Sequence, residues 1–154
     1  MTRLFFRQTV MPMTLGMFVC IGAGCGTVDP GVDSGAGSLD YDEFKANIQP
    51  VFDSRGCSNS NCHYRDKNNP NSGGPGGSLR IFNCKTDPCT EDQFRANFDS
   101  ASGMTDIANP AGSKLLLKPL AVSAGGIQHL GGDIFPNTSD PDYLTILSWI
   151  QSPL

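Results

Sequence analysis

The sequence predicts a small, mostly α-helical, loop-rich domain that follows an export signal and a flexible tether. Three observations carry that reading. Apolar residues at helical spacing mark one helix near residue 41 and another at the C-terminus. Gly (18) and Pro (11) are frequent among the 154 residues, which implies many loops around a thin core. The first 24 residues carry the charge and hydropathy profile of a secretory signal.

That signal is read as residues 1–24. Arg3 and Arg7 form its positive start, and the run from Thr9 to Ala23 is apolar or small. Pro12 interrupts the run, which is too short for a membrane span of about 20 apolar residues. The small residues Gly22-Ala23-Gly24 before Cys25 resemble a lipobox, whose cysteine carries diacylglycerol. That resemblance implies lipidation at Cys25 and a membrane anchor in the cell envelope, on the periplasmic side or at the outer membrane. Gly22 stands where the pattern prefers Leu, and cleavage without lipidation is the alternative, giving a soluble periplasmic protein. Residues 25–38, rich in Gly, Ser and Asp, then form a tether. The remaining 39–154 make one domain of about 115 residues. The net charge, −4 for the whole chain, becomes more negative for the processed chain once Arg3 and Arg7 are lost with the signal. Nucleic acid is therefore excluded as a natural partner.

Within the domain a first helix is expected from Tyr41 to Ser54, capped by Asp40, with Phe44, Ile48, Val51 and Phe52 on one face. Pro50 should kink it or break it in two, and Gly56 should end it. Residues 64–78 read as a polar loop, in which turn chemistry accounts for Asp66, Asn68 and Asn71 better than calcium does. Leu79 to Phe82 alternates like a short extended segment. A second helix, Glu91 to Asp99, has Thr90 and Gln93 placed for a capping box. Ser113 should cap a brief helix through Leu117 that Pro119 ends. Asp140 and Pro141 open the last helix, with Leu144, Leu147 and Ile150 along one face and Tyr143, Ile146 and Trp149 widening it. First and last helices should pack together.

Cysteine arithmetic sharpens the functional reading. With Cys20 in the signal and Cys25 given to lipid, four remain, in two pairs of equal spacing: Cys57-(x4)-Cys62 and Cys84-(x4)-Cys89. Only the first pair is followed at once by a histidine, His63. Covalent haem attachment needs two thiols for the vinyl groups and an imidazole that reaches the iron, usually as Cys-x-x-Cys-His. The terminal Cys-His is the stiff part of that geometry, whereas the residues between the cysteines form a loop that can bulge. Taken alone, the motif is balanced between a haem site and a small structural disulfide. Zinc is disfavoured, because export exposes thiols to oxidation and the second pair brings no histidine. The Cys84–Cys89 pair reads most simply as a local disulfide that staples a loop.

Further motifs fall in a consistent order along the chain. Phe44-x3-Ile48-x-Pro50-Val51-Phe52 leads into the cysteines, and Asn109-Pro110-x-x-Ser113-Lys114-Leu115-Leu116-Leu117-Lys118-Pro119-Leu120 follows. Next come His129-Leu130-Gly131-Gly132 with Phe135, then Asp142-Tyr143-x3-Leu147-x-Trp149-Ile150. Residues 41–154 thus resemble the small c-type cytochrome domains of bacterial envelope lipoproteins, the planctomycete-type cytochrome c domains and their relatives. The resemblance implies a cytochrome c-like fold with one covalent haem c on Cys57 and Cys62, ligated by His63. It also points to His129 as the second axial ligand, in a loop whose glycines let backbone approach a porphyrin. Met104, also in a small-residue loop, is the alternative distal ligand.

Function reads accordingly as an exported, lipid-anchored mono-haem cytochrome that exchanges electrons with redox partner proteins of the envelope. No catalytic constellation is evident, so an electron carrier is favoured over a haem enzyme. The alternative is a haem-free, disulfide-stapled lipoprotein acting as a binding or structural module.

Overall fold

The computed structural model describes residues 38–154. The expected signal, the lipidation residue Cys25 and the tether up to residue 37 lie outside the described residues. Among the described residues no helix is long and apolar enough to cross a membrane.

The first helical run has three parts. α1 (Tyr41–Glu43) is capped by Asp40, whose carboxylate accepts from the Glu43 amide at 2.9 Å. A π-helical turn, Phe44–Ile48, follows, and α2 (Gln49–Ser54) continues from it with Pro50 in its first turn. Proline has no amide to donate and its ring collides with the carbonyl four residues earlier. The wider turn just ahead of Pro50, closed by the Gln49 amide on the Phe44 carbonyl, absorbs both problems. The expected break is thus a change of helical gauge within one run. Gly56, at φ +77°, turns the chain out of the helix, a conformation costly for any other residue.

α3 (Glu91–Ser102) carries the full capping box of Thr90 and Gln93. It runs past the expected end at Asp99 because Ala101 is fully buried and anchors the last turn. α4 (Lys114–Leu117) is short. Ser113 occupies its N-cap position without a side-chain cap, since the buried hydroxyl accepts from the Asp106 amide instead, at 2.9 Å. α5 (Pro141–Gln151) opens on Asp140, which accepts from the Asp142 and Tyr143 amides. No extended strand forms among the described residues. Isolated bridges join Tyr64 to Ile81, Arg65 to Gly73, and Leu120 to Phe135. The domain is mostly helix and loop, as its composition implies.

α5 packs against the first helical run. Phe44, Phe98 and Trp149 meet with ring centres 5.5–6.2 Å apart, and the Trp149 indole donates to the Asp40 carbonyl at 2.8 Å. The buried face of α5 is Tyr143, Ile146, Trp149 and Ile150. Leu147 is only partly buried, and Leu144, expected on that face, is 46% exposed. A stripe drawn through leucines at every third position drifts off the face that Trp149 centres.

A buried polar network stitches the core to the loops. The Asn97 amide donates to Gln49 Oε1 at 2.8 Å and to the Phe82 carbonyl at 2.9 Å, while its oxygen accepts from the Phe82 amide. Asp53 accepts from Gln49, from the Ser58 hydroxyl at 2.7 Å and from the Cys84 amide. The end of α2, the extended segment at residue 82 and α3 are thereby held in one register.

Candidate functional site

The first cysteine motif begins directly beyond α2. The Cys57 amide donates to Phe52, turning the chain back under the helix, and the His63 amide closes on the Cys57 carbonyl at 2.9 Å. The widened loop between the cysteines is therefore a closed bulge: Ser58 points inward to Asp53, whereas Asn59, Ser60 and Asn61 are exposed. Cys57 and Cys62 are both free thiols. Burial pushes the Cys57 thiol up to about 11, and the neighbouring Cys62 adds to the effect. In contrast, Cys84 and Cys89 are joined by a disulfide, as expected for that pair.

His63 is held on both sides. The Ile81 amide donates to its carbonyl at 2.7 Å, and its ring Nδ1 lies 3.1 Å from the Leu79 carbonyl. A carbonyl oxygen only accepts, so Nδ1 carries the proton and Nε2 is left with its lone pair. Gly76 makes room for the ring: a Cβ there would collide with His63 Nδ1 and with the Cys62 carbonyl. Arg80 donates to the Gly74 carbonyl and pins this glycine turn. Burial pulls the imidazole below the ordinary histidine range, and the nearby His129 and Arg80 act in the same direction. His63 is thus kept neutral, the form that ligates metals.

His129 arrives from the other side of the sequence on a loop knitted to residues 117–121. The Ile127 amide donates to Leu117, the Gly126 amide to Ala121, and the Lys118 ammonium to the Gln128 carbonyl. Its Nδ1 lies 3.2 Å from the Gly132 carbonyl, so the same tautomer is selected and Nε2 is again free. The two imidazole rings stand 5.9 Å apart between centres, with only 10° between their planes. The donor set present, two imidazoles with Nε2 unprotonated and two free thiols in the His63 loop, has the chemistry that would hold a haem covalently.

The structure thus brings together His63, in one loop with Cys57 and Cys62, and His129 from a distant loop. Met104 packs against the hydrophobic core, and its carbonyl accepts from the Leu115 amide. Asp66 accepts from the Asn68 amide at 2.8 Å, a local turn bond. Among the described residues no three His, Cys, Asp or Glu side chains gather to hold a bare metal ion.

One residue at this site was absent from the sequence reading. Arg55, two positions before Cys57, binds Asp140 through both carboxylate oxygens at 2.8 and 3.0 Å and Asp142 at 2.5 Å. It also donates to the Ile134 carbonyl and lies over the Phe135 ring. No local pattern announces partners so far away in the chain.

Comparison with known proteins gives no relative to lean on: no family model matches the chain, and neither a curated protein nor a solved structure does.

Proposed function

We propose that the domain is a mono-haem c-type cytochrome that carries electrons in the bacterial cell envelope. The observation that supports this best is the His63–His129 pair, with rings nearly parallel, 5.9 Å apart and both committed through Nδ1 to backbone carbonyls. Cys57 and Cys62 would hold the haem through thioethers, and His63 and His129 would ligate its iron. Bound there, haem would supply a one-electron couple at its iron. The chain's own part would be to present two imidazoles in fixed tautomers, so that little would have to reorganise around the iron. Ligation by two imidazoles would keep the potential below that of a His/Met cytochrome, since a thioether ligand raises it. The N-terminal signal, the tether and lipid at Cys25 would keep the domain beside its redox partners at a membrane and raise its effective concentration there.

The test is to express the full chain, signal included, with a haem-maturation system. The expected product has an absorbance band that survives acid and organic extraction, with a six-coordinate low-spin spectrum. His129→Ala should retain the covalent haem, become high-spin and bind carbon monoxide when reduced. A His129→Ala protein that stays six-coordinate and low-spin removes His129 as the second ligand. Absence of covalent haem from the unaltered chain sinks the cytochrome reading and leaves a disulfide-stapled binding or structural module.

A further inference from the structure

We infer that Arg55 is a positioning residue that sets the separation of the two imidazoles. The inference deepens the cytochrome reading and rests on it for its spectroscopic arm. Arg55 caps α2, its amide donating to Val51, and the chain turns from there through Gly56 into the Cys57–His63 loop. Its side chain therefore stands at the stem of the His63 arm. The same guanidinium reaches the Ile134 carbonyl at 3.4 Å and the Phe135 ring at 5.5 Å. Ile134 and Phe135 form the C-terminal stem of the loop that carries His129, and both their amides bond to the Pro119 carbonyl. One planar cation thus touches the stems of both arms.

Asp140 and Asp142 fix where that cation can sit. Asp140 receives it through two oxygens while also capping α5, and its side chain is only 8% exposed. Asp142 adds a bond to Nε at 2.5 Å. A two-pronged guanidinium–carboxylate contact fixes direction as well as distance, which a lysine ammonium cannot reproduce. These bonds, that to Asp142 first, raise the Arg55 pKa further, so the charge is permanent. α5 is anchored in the core by Tyr143, Ile146, Trp149 and Ile150, and it serves as the fixed post. Both arms hang from that post through Arg55. Loss of the guanidinium should let the arms move independently while leaving the helical core in place.

The experiment uses the full chain, with and without haem maturation, carrying Arg55→Lys or Arg55→Gln. In the matured protein the expected result is a mixture of low-spin and high-spin haem in both variants, with carbon monoxide binding that the unaltered protein lacks. Added imidazole should return the spectrum to low spin, which shows a displaced ligand rather than lost haem. In the haem-free chain, amide hydrogen exchange should rise in residues 56–63 and 126–135 together and stay unchanged in α5. A thermal shift with unaltered spectrum and exchange confined to the α5 cap overturns the inference, because it reduces Arg55 to a helix-end ion pair. If the unaltered chain takes no haem, the exchange pattern alone decides whether Arg55 couples the two loops, and the cytochrome reading fails separately.

Discussion

At the scale of single residues, the site depends on hydrogen bonds that choose a tautomer. His63 and His129 lie in loops of different make-up, yet each gives its Nδ1 proton to a backbone carbonyl. Carbonyls cannot donate, so the choice does not change with small movements of the loop. The His63 ring also needs an empty volume beside it, and Gly76 supplies that. Gly76→Ala places a methyl group against Nδ1 and the Cys62 carbonyl, and backbone on the far side cannot retreat easily. The expected result is diminished low-spin character in the proposed haem protein and a stability loss of about 1–3 kcal/mol, the usual cost of overpacking. Absorbance spectra and urea denaturation of the variant measure the two effects. Sequence alone exposed the cysteines and His63 through their adjacency, and His129 through its glycine-flanked motif. Arg55, Gly76 and the carbonyls of Leu79 and Gly132 were invisible, because their roles arise from spatial neighbours and not from residue type.

Among the elements, those whose signals are local were legible in the sequence. Asp40, the Thr90–Gln93 box and the Asp140-Pro141 start all sit where helices begin, since a cap is decided within four residues. Features set by packing were not. Pro50 shifts the helix into a π turn instead of breaking it, and Ser113 spends its hydroxyl on Asp106. Leu144 lies outside the face that meets the first helical run. The contact between that run and α3 has a polar edge, where Tyr41 donates to Glu91 at 2.8 Å and Lys45 pairs with the same carboxylate at 3.0 Å. Desolvation, and then the bond to Glu91, raise the Tyr41 pKa from 10.0 to about 12. A folded-state pKa above the unfolded one means that the folded chain binds more protons in that interval. The stabilising contribution is therefore complete below pH 10 and disappears as pH rises toward 12. Glu91 works in the opposite direction. Its pKa is lowered, first by the Tyr41 hydroxyl and then by Lys45, so its contribution is present above the ordinary carboxylate range and fades in acid. Tyr41→Phe should flatten the alkaline fall in stability relative to the unaltered protein. Urea midpoints collected between pH 9 and 11.5 (roughly spanning the shift) read this directly, and parallel curves for the two proteins would remove Tyr41 from the account.

Across the whole molecule, a thin apolar core is supplemented by cross-links between loops. Among the described residues the fully buried large side chains are few, and four of the eleven are polar: Ser113, and Gln49, Asn97 and Ser58, the last three engaged in the network that joins α2 to α3 and to the segment at residue 82. The Cys84–Cys89 disulfide sits at the edge of this network, with the Cys84 amide on Asp53 and Lys67 donating to the Asp87 and Pro88 carbonyls inside the ring. Only five positions separate the two cysteines, so closing the ring removes little freedom from the unfolded chain. Chain-entropy reasoning for so short a loop gives about 2 kcal/mol. The hydrogen bonds that surround the ring do not need the sulfur bridge, and they should keep the loop near its place without it. Cys84→Ser combined with Cys89→Ser should therefore lower unfolding free energy by about 2 kcal/mol while leaving haem content, spin state and potential unchanged. Denaturant titration and redox titration of the same preparation separate these outcomes. A shifted potential with unaltered stability would instead make the disulfide part of the proposed haem site, coupled to Cys57 through Asp53 and Ser58.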